Sequence, residues 1–333
     1  MSTTQHFDPC GFAGERDLLE IVKLMNDCRV ADDADSRVTV TELREDFADP
    51  TFDVTHDLRL WREDSGKLVA VAQLWRQTPE DIFVSHLNFS IATHLEAATL
   101  AEEILAWAEQ RLLGLAKDLA VPVLLHSGCR DGLESRKVLL QNLGFQPERS
   151  FWRLTRTLTA PIPKRDLPSG WNLRTVTASD AEGWVEMFNQ TFVDHWNHTP
   201  VTLKEFRHWI TRNDYDVNLD LVVETPEGQT VAFAYSEIDF ERNARLSIQE
   251  GHICLLGTRR GYRRLGLAKA LLAESLRRLQ LLGMTTVTIG VDAQNPLGAV
   301  QLYESIGFEH CRSSTVYVKK VQMGPLLQKP ETR

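Results

Sequence analysis

Apolar residues recur every three or four positions in two long stretches, 97-AATLAEEILAWAEQRLLGLA-116 and 267-LAKALLAESLRRLQLLG-283. That spacing predicts two amphipathic helices. A short β-like run follows each of them, 121-VPVLLHS-127 and 285-TTVTIGVD-292. Both copies then close alike, with a short helix, a Gly-Phe turn and a strand of alternating character. These closing segments are 138-VLLQNLGFQPERSFWRLTRTL-158 and 301-QLYESIGFEHCRSSTVYVKKV-321. The repeat is too widely spaced for a solenoid and suits a duplicated domain.

The second copy opens on a helix in 178–194, with Ser179 as its expected N-cap, and a second helix in 202–212. There Thr202 and Glu205 have capping-box spacing. Strands are expected at 219–225, 230–239 and 246–257, the first two joined as a hairpin by 225-TPEG-228. Trp184, Phe188 and Phe192 share one helix face and read as core. Strands of mixed direction flanked by helices define an α/β (α+β) domain. The segment 159-TAPIPKRDLPSGW-171 holds three prolines and a glycine and reads as a linker. The expected division is therefore a first domain over 1–158, a linker over 159–170, a second domain over 171–321 and a tail over 322–333.

Composition changes little in this picture but narrows it. At 43% hydrophobic and 25% charged residues, the chain has the make-up of a soluble globular protein. No apolar run approaches the ~18 residues that span a bilayer. The first ten residues lack the basic and apolar regions of a signal peptide. Cys10, Cys28, Cys129, Cys254 and Cys311 are scattered and without CxxC spacing. Neither a disulfide framework nor a zinc site is expected, and a reducing cytoplasm is. The formal charge of −9 disfavours nucleic acid as a partner, so the basic cluster at 259–264 needs a local explanation.

That cluster lies in 260-RGYRRLGLAKALL-272, where a strand ends and a helix begins. The first amides of a helix have no partners within it, and its dipole makes that end positive. Gly261 and Gly266 permit tight turns, while Arg263 and Arg264 add donors suited to phosphate. A dinucleotide-binding GxGxxG and a nucleotide-binding Gly-Lys-Ser/Thr are both absent. The motif present is Arg263-x-x-Gly266-x-Ala268.

In this setting the motif resembles the pyrophosphate loop of the GCN5-related N-acetyltransferases, Gln/Arg-x-x-Gly-x-Gly/Ala. A second block, 291-VDAQNPLGAVQLYESIGFE-309, carries that family's Asn, Ala, Leu-Tyr and Gly-Phe positions as Asn295, Ala299, Leu302, Tyr303, Gly307 and Phe308. The resemblance covers roughly 171–320 and implies two tandem domains of this fold, each a mixed, mostly antiparallel sheet flanked by helices. It implies acetyl-CoA as acyl donor, with its pyrophosphate on Arg263, Arg264, Leu265, Gly266, Leu267, Ala268 and Lys269. Leu256 and Thr258 would pair with the pantetheine arm, Asn295 and Ala299 would lie near it, and Tyr303 would stand beside the sulfur. No metal is expected.

Acetyl transfer to an amine needs a base for the ammonium and a donor for the departing thiolate. The phenol of Tyr303 suits the second role. For the first, His252 stands where some family members carry a catalytic Glu, and Glu250 shares its strand face. A partly buried structural histidine is the competing reading of His252. Glu250 instead orients it or meets a cationic substrate. Asp194, His195 and Trp196, in 194-DHWNHTP-200, are candidates for the acceptor wall, the alternative being a packed turn between helices.

Aligning the long helices puts Glu96, Thr99 and Ala101 of the first copy at Arg263, Gly266 and Ala268. Leu140 and Gly132 fall at Tyr303 and Asn295. The first domain is thus expected to keep the fold without the cofactor chemistry, an arrangement that resembles the two-domain acetyltransferases of mycothiol synthase type in architecture only. The expected activity is acetylation of a small-molecule primary amine by direct attack, in a monomer or homodimer without nucleic-acid or membrane partners. Acceptance of a peptide amine, or a non-catalytic acyl-CoA-binding role, is the alternative.

Overall fold

The two periodicities, 3.6 for helices and 2 for strands, are both realised in the computed structural model. It describes residues 7–322 except Asp35 and Glu80. Two compact units divide the chain, Met1–Glu148 with Thr315–Arg333, and Arg149–Ser314.

The first unit contains β1 (Asp8–Cys10), α1 (Glu15–Ala31), α2 (Val40–Phe47), β2 (Leu58–Arg62), β3 (Leu68–Arg76), β4 (Phe83–Ile91), α3 (Ala97–Leu115), β5 (Val123–Arg130) and α4 (Glu134–Asn142). Its strands run in the order β1-β2-β3-β4-β5, antiparallel except for β4 and β5. Ile21, Leu60, Val69, Ile104, Leu112 and Leu125 are fully buried between sheet and helices. These are the apolar positions that the helical and strand periods repeat.

Strand β6 (Gln146–Thr157) enters the second unit at Arg149. There follow β7 (Asn172–Thr175), α5 (Ala181–Phe192), α6 (Leu203–Trp209), β8 (Asp220–Glu224), β9 (Thr230–Glu237), α7 (Phe240–Leu246), β10 (Glu250–Thr258), α8 (Leu267–Leu281), β11 (Thr286–Asp292), α9 (Ala299–Glu304) and β12 (Glu309–Gln322). The order β6-β11-β10-β9-β8-β7 is antiparallel throughout except for β10 and β11. One layer of core lies under α8, with Leu272, Leu276 and Leu279 against Ile253, Val287 and Ile289. The other lies under α5, where Trp184 stacks on Phe206 at 4.5 Å and meets Phe233 at 5.4 Å. Trp184 is core, and Phe188 and Phe192, on the face their spacing indicates, pack against it partly buried.

The compact units differ from a division at 159–170. Residues 149–157 of β6 belong to the second unit, and β12 passes to the first after Ser314. The proline-rich segment carries no helix or strand and lies inside the second unit. Arg156, donating to the Pro161 carbonyl at 2.8 Å, and Gln280, donating to the Leu158 carbonyl at 2.7 Å, pin its start. The expected tail, beyond Gln322, lies outside the described residues.

Three local expectations change. A 3-10 turn, Ala178–Asp180, precedes α5 and is capped by Thr177, whose amide donates to Asp180 at 2.7 Å, so the N-cap of α5 is Asp180 rather than Ser179. The strand expected from 246 begins at Glu250, since 240–246 form α7. Its N-cap is Asp239, accepting from the Arg242 amide at 2.7 Å. The helix expected over 202–212 is Leu203–Trp209, with the Thr202–Glu205 capping box in place. The hairpin turn at Thr225–Gly228 forms as its sequence indicates.

Candidate active site

Strands β10 and β11 pair in parallel only over Glu250–Ile253 and Thr286–Ile289. β10 then continues to Thr258 and β11 to Asp292 without that pairing, so the two strands part. A bulge between Ile253 and Leu255 coincides with the parting and sharpens the bend of β10. Among the described residues, backbone groups on the β11 side of Cys254–Thr258 are thereby left without a strand partner, a slot that suits an extended amide-bearing chain. Leu256 and Thr258 lie on this segment, as expected. Gly257 is required beneath it, because a Cβ there would stand 2.6 Å from both the Phe233 ring and Thr191.

The turn after β10 leads directly into α8. Gly266 is the N-cap with φ +85°, and Arg264 also adopts a left-handed conformation at φ +67°. Such a backbone costs an L-residue about 1–2 kcal/mol, so Arg264 is held there by its surroundings. Ala270 is the first residue to close a helical turn, donating to the Gly266 carbonyl at 3.1 Å. The amides of Leu267, Ala268 and Lys269 precede it and point out of the helix mouth. Among the described residues, nothing lies within 4 Å of where a Gly266 Cβ would be. An anion fits this mouth.

Arg263 does not face that mouth with its guanidinium. It donates to Asp194 Oδ2 at 3.0 Å, to the Thr191 carbonyl at 3.1 Å and to the Thr258 carbonyl at 3.2 Å. Arg260 donates to the same Asp194 carboxylate, and Arg259 to Glu186 at 2.8 Å. Hydrogen bonds from Arg260 and then Arg263 hold the Asp194 carboxyl down to about 2. Asp194 therefore ties the turn to the end of α5 and is not free for an acceptor. Arg264 and Lys269 make no ion pair among the described residues, and these two cations remain for an anionic ligand.

Upstream of the bulge, His252, Glu250 and Thr288 share one sheet face. His252 Nδ1 is 2.9 Å from Thr288 Oγ1. Burial, reinforced by the nearby Arg153 and Arg242, pushes the imidazole down to about 4, so it is neutral at physiological pH. Glu250 accepts from Arg242 at 2.8 Å and from Arg153 at 3.1 Å. Its carboxylate is occupied by two guanidinium groups, which suits positioning rather than proton abstraction. On α9, Tyr303 is buried against Phe308, and burial raises its phenol above the ordinary range. Its hydroxyl makes no hydrogen bond among the described residues, so the proton is available to a ligand. Asn295 Oδ1 accepts from the Leu297 amide at 2.8 Å, fixing the turn before α9, and Ala299 is the first residue of that helix.

Trp196 packs toward Phe151 at 6.0 Å and lies under the Arg149 guanidinium at 5.6 Å. His195 Nδ1 is 3.0 Å from the Trp196 carbonyl. Both belong to a packed turn. Sequence reasoning missed Glu237 and Cys254, which the strand register brings to the same stretch. Glu237 stands opposite His252 on β9, and Cys254 is the bulged residue. Burial, then the Glu237 charge, pushes the Cys254 thiol far up, so it stays protonated. Among the described residues no group of His, Cys, Asp and Glu is arranged to hold a metal, and no helix is long and apolar enough to cross a membrane.

The first unit carries a similar parting of strands and fills it differently. β4 and β5 pair in parallel over Phe83–His86 and Val123–His126 and then separate. Arg136 of α4 bridges the opening, donating to the Phe89 and Gly128 carbonyls, each at 3.3 Å, with its guanidinium 4.5 Å above the Phe89 ring. The N-cap of α3 is Glu96, so helix starts align Glu96 with Gly266 rather than with Arg263. Only residues 92–96 join β4 to α3, against 259–266 between β10 and α8. Leu140, aligned with Tyr303, is fully buried.

A strand parting beside a glycine-capped, anion-accepting helix defines an acyl-CoA-binding fold, and residues 184–326 match the model of the acetyltransferase (GNAT) domain. The matched segment carries the acetyltransferase-domain pattern from α5 through β12. Among curated relatives the chain is similar to mycothiol acetyltransferases. The protein of that name from Acidothermus cellulolyticus is 26% identical over 259 residues, 73% of this chain and 78% of the relative. That from Salinispora tropica is 32% identical over 181 residues, 52% of this chain and 56% of the relative. Among solved structures, a GCN5-related N-acetyltransferase from Sphaerobacter thermophilus matches with TM-score 0.72 at 21% identity, covering 96% of this chain and 97% of that one. A tandem GNAT protein from the clavulanic acid biosynthesis pathway matches with TM-score 0.67 at 12% identity, covering 96% and 99%. At these identities the structures speak for the fold.

Proposed function

We propose that the chain transfers the acetyl group of acetyl-CoA to a primary amine of a small molecule, in the unit that contains β10 and α8. The observation that carries this reading is the continuity of one strand, β10, with both the parted edge and the Gly266 turn. The amides of Leu267–Lys269, with Arg264 and Lys269, would seat the pyrophosphate. Arg263 acts through the turn it holds, and Leu256 offers backbone groups to the pantetheine arm. Tyr303 keeps its proton until a thiolate develops beside it and then donates it. Cys254, a protonated thiol in acidic surroundings, is a poor nucleophile, which favours direct attack by the amine over an acyl-enzyme. Arg136 across the strand opening of the first unit supports a single acyl-CoA site in the chain.

The relatives named mycothiol acetyltransferases support a small-molecule acceptor. The free cysteines suit a reducing cytoplasm. The test is release of free thiol from acetyl-CoA in the presence of amines, amino sugars, amino acids and peptides. Amine-dependent release with a small molecule supports the reading, and release with peptides alone, or with nothing, overturns it.

A further inference from the structure

Resting on the acetyltransfer reading above, we infer that Glu237, the last residue of β9, receives the proton of the acceptor's ammonium group. Glu237 pairs with His252 across β9 and β10, so its side chain stands on the face that carries His252, Glu250 and Thr288. It sits one residue from the bulge at which β10 parts from β11. The opening that would take a thioester begins next to this face, where β10 leaves β11 after Ile253.

The other carboxylates along the face are engaged. Glu250 is held by Arg153 and Arg242, Asp292 accepts three hydrogen bonds from Arg149, and Asp220 accepts from the Tyr215 hydroxyl at 2.9 Å. Glu237 forms no ion pair among the described residues. Its neighbour on the same strand face, Tyr235, stacks with Tyr215 at 5.4 Å and meets Trp209 edge-on at 5.0 Å. A carboxylate without an ion-pair partner, held only by the Cys254 thiol among the described residues, can receive an ammonium group.

The surroundings also tune it as a base. Burial raises the Glu237 carboxyl; Asp214 and Asp239 raise it further, while the Cys254 thiol and Arg212 lower it. The net shift is upward, toward the pH at which a base works well. His252, pushed down to about 4 by burial and then by Arg153 and Arg242, is the weaker base and remains a neutral hydrogen-bonding group. The proton inventory is simple. The ammonium gives one proton to Glu237, which passes it to solvent. The neutral nitrogen forms the C–N bond, the C–S bond breaks, and the second nitrogen proton ends on sulfur by way of Tyr303.

The experiment compares wild type with Glu237→Gln and His252→Gln, using tyramine, glucosamine and an amino-acid methyl ester as acceptors. In wild type the acid limb of kcat/KM should fall at one pH for all acceptors. In Glu237→Gln, kcat/KM should drop about 10²-fold, and the limb should follow each amine's own pKa. His252→Gln should keep the wild-type limb. Calorimetric acetyl-CoA affinity within twofold of wild type shows that the variants are folded. Turnover by Glu237→Gln within twofold of wild type, with an unmoved limb, overturns this inference and leaves the acetyltransfer reading standing. No amine-dependent turnover by wild type overturns both. Carbon-13 NMR titration of the Glu237 carboxyl gives an independent check: a midpoint above that of exposed glutamates supports the inference, and one at or below theirs overturns it.

Discussion

Arg263 donates to Asp194 Oδ2 at 3.0 Å, and this contact ties the Gly-Arg turn to the end of α5. The arginine that the motif makes look like a phosphate ligand is the fastening of the turn. Arg263→Ala and Asp194→Ala should therefore each weaken acetyl-CoA binding, by roughly tenfold, as loss of a charge-assisted hydrogen bond does. The double variant should lose less than the sum of the two single losses, because the Arg263–Asp194 contact is counted in both. Calorimetry on the four proteins checks this, and fully additive losses would contradict a fastening shared by Arg263 and Asp194.

Tyr303 separates chemistry from binding. Tyr303→Phe keeps the ring against Phe308 and removes only the hydroxyl. Turnover should fall by roughly 10²-fold, the scale of general-acid catalysis, with acetyl-CoA affinity changed less than about twofold. Steady-state kinetics beside calorimetry decide it, and full turnover would remove Tyr303 from the reaction.

His252 links pH to stability. Its folded pKa, about 4, lies below the unfolded value of 6.5, so the unfolded chain binds the proton more readily. The stability tied to the neutral imidazole is complete above pH 6.5 and is lost as pH falls toward 4. Wild type should lose Tm over that window more steeply than His252→Gln. Parallel slopes in a thermal melt series would contradict the assignment.

Trp184 anchors the layer under α5, buried among Phe188, Phe206, Trp209 and Phe233. Trp184→Ala should cost about 3–5 kcal/mol in urea unfolding, the range for a buried large aromatic. A loss below about 1 kcal/mol would mean that this layer is not a packed core.

Much of this was legible in the chain because it is local. Helical leucine spacing gave α3 and α8, TPEG the hairpin, and Thr202 with Glu205 a helix start. The RxxGxA turn and the block ending in Gly307-Phe308 located the glycine N-cap and Tyr303. What stayed hidden depends on distant partners. Nothing near Arg263 in sequence tells that Asp194 occupies its guanidinium. Alternation along β6 and β12 specifies strands but not the compact unit each half joins. The value of Glu237 depends on the β9–β10 register and on a bulge at Cys254, neither of which period-2 alternation reveals. The helix at 240–246 is hidden because its N-cap, Asp239, falls at the end of a run with strand alternation.

Binding of acetyl-CoA at the Gly266 turn is tested most directly by calorimetric titration of wild type and Gly266→Glu. At φ +85° any side chain is strained, and a carboxylate would face the phosphates. Wild type should take up one equivalent of acetyl-CoA per chain, and Gly266→Glu should show no measurable uptake while melting within a few degrees of wild type. Uptake of a second equivalent, or undiminished affinity in the variant, would contradict a single site at that turn.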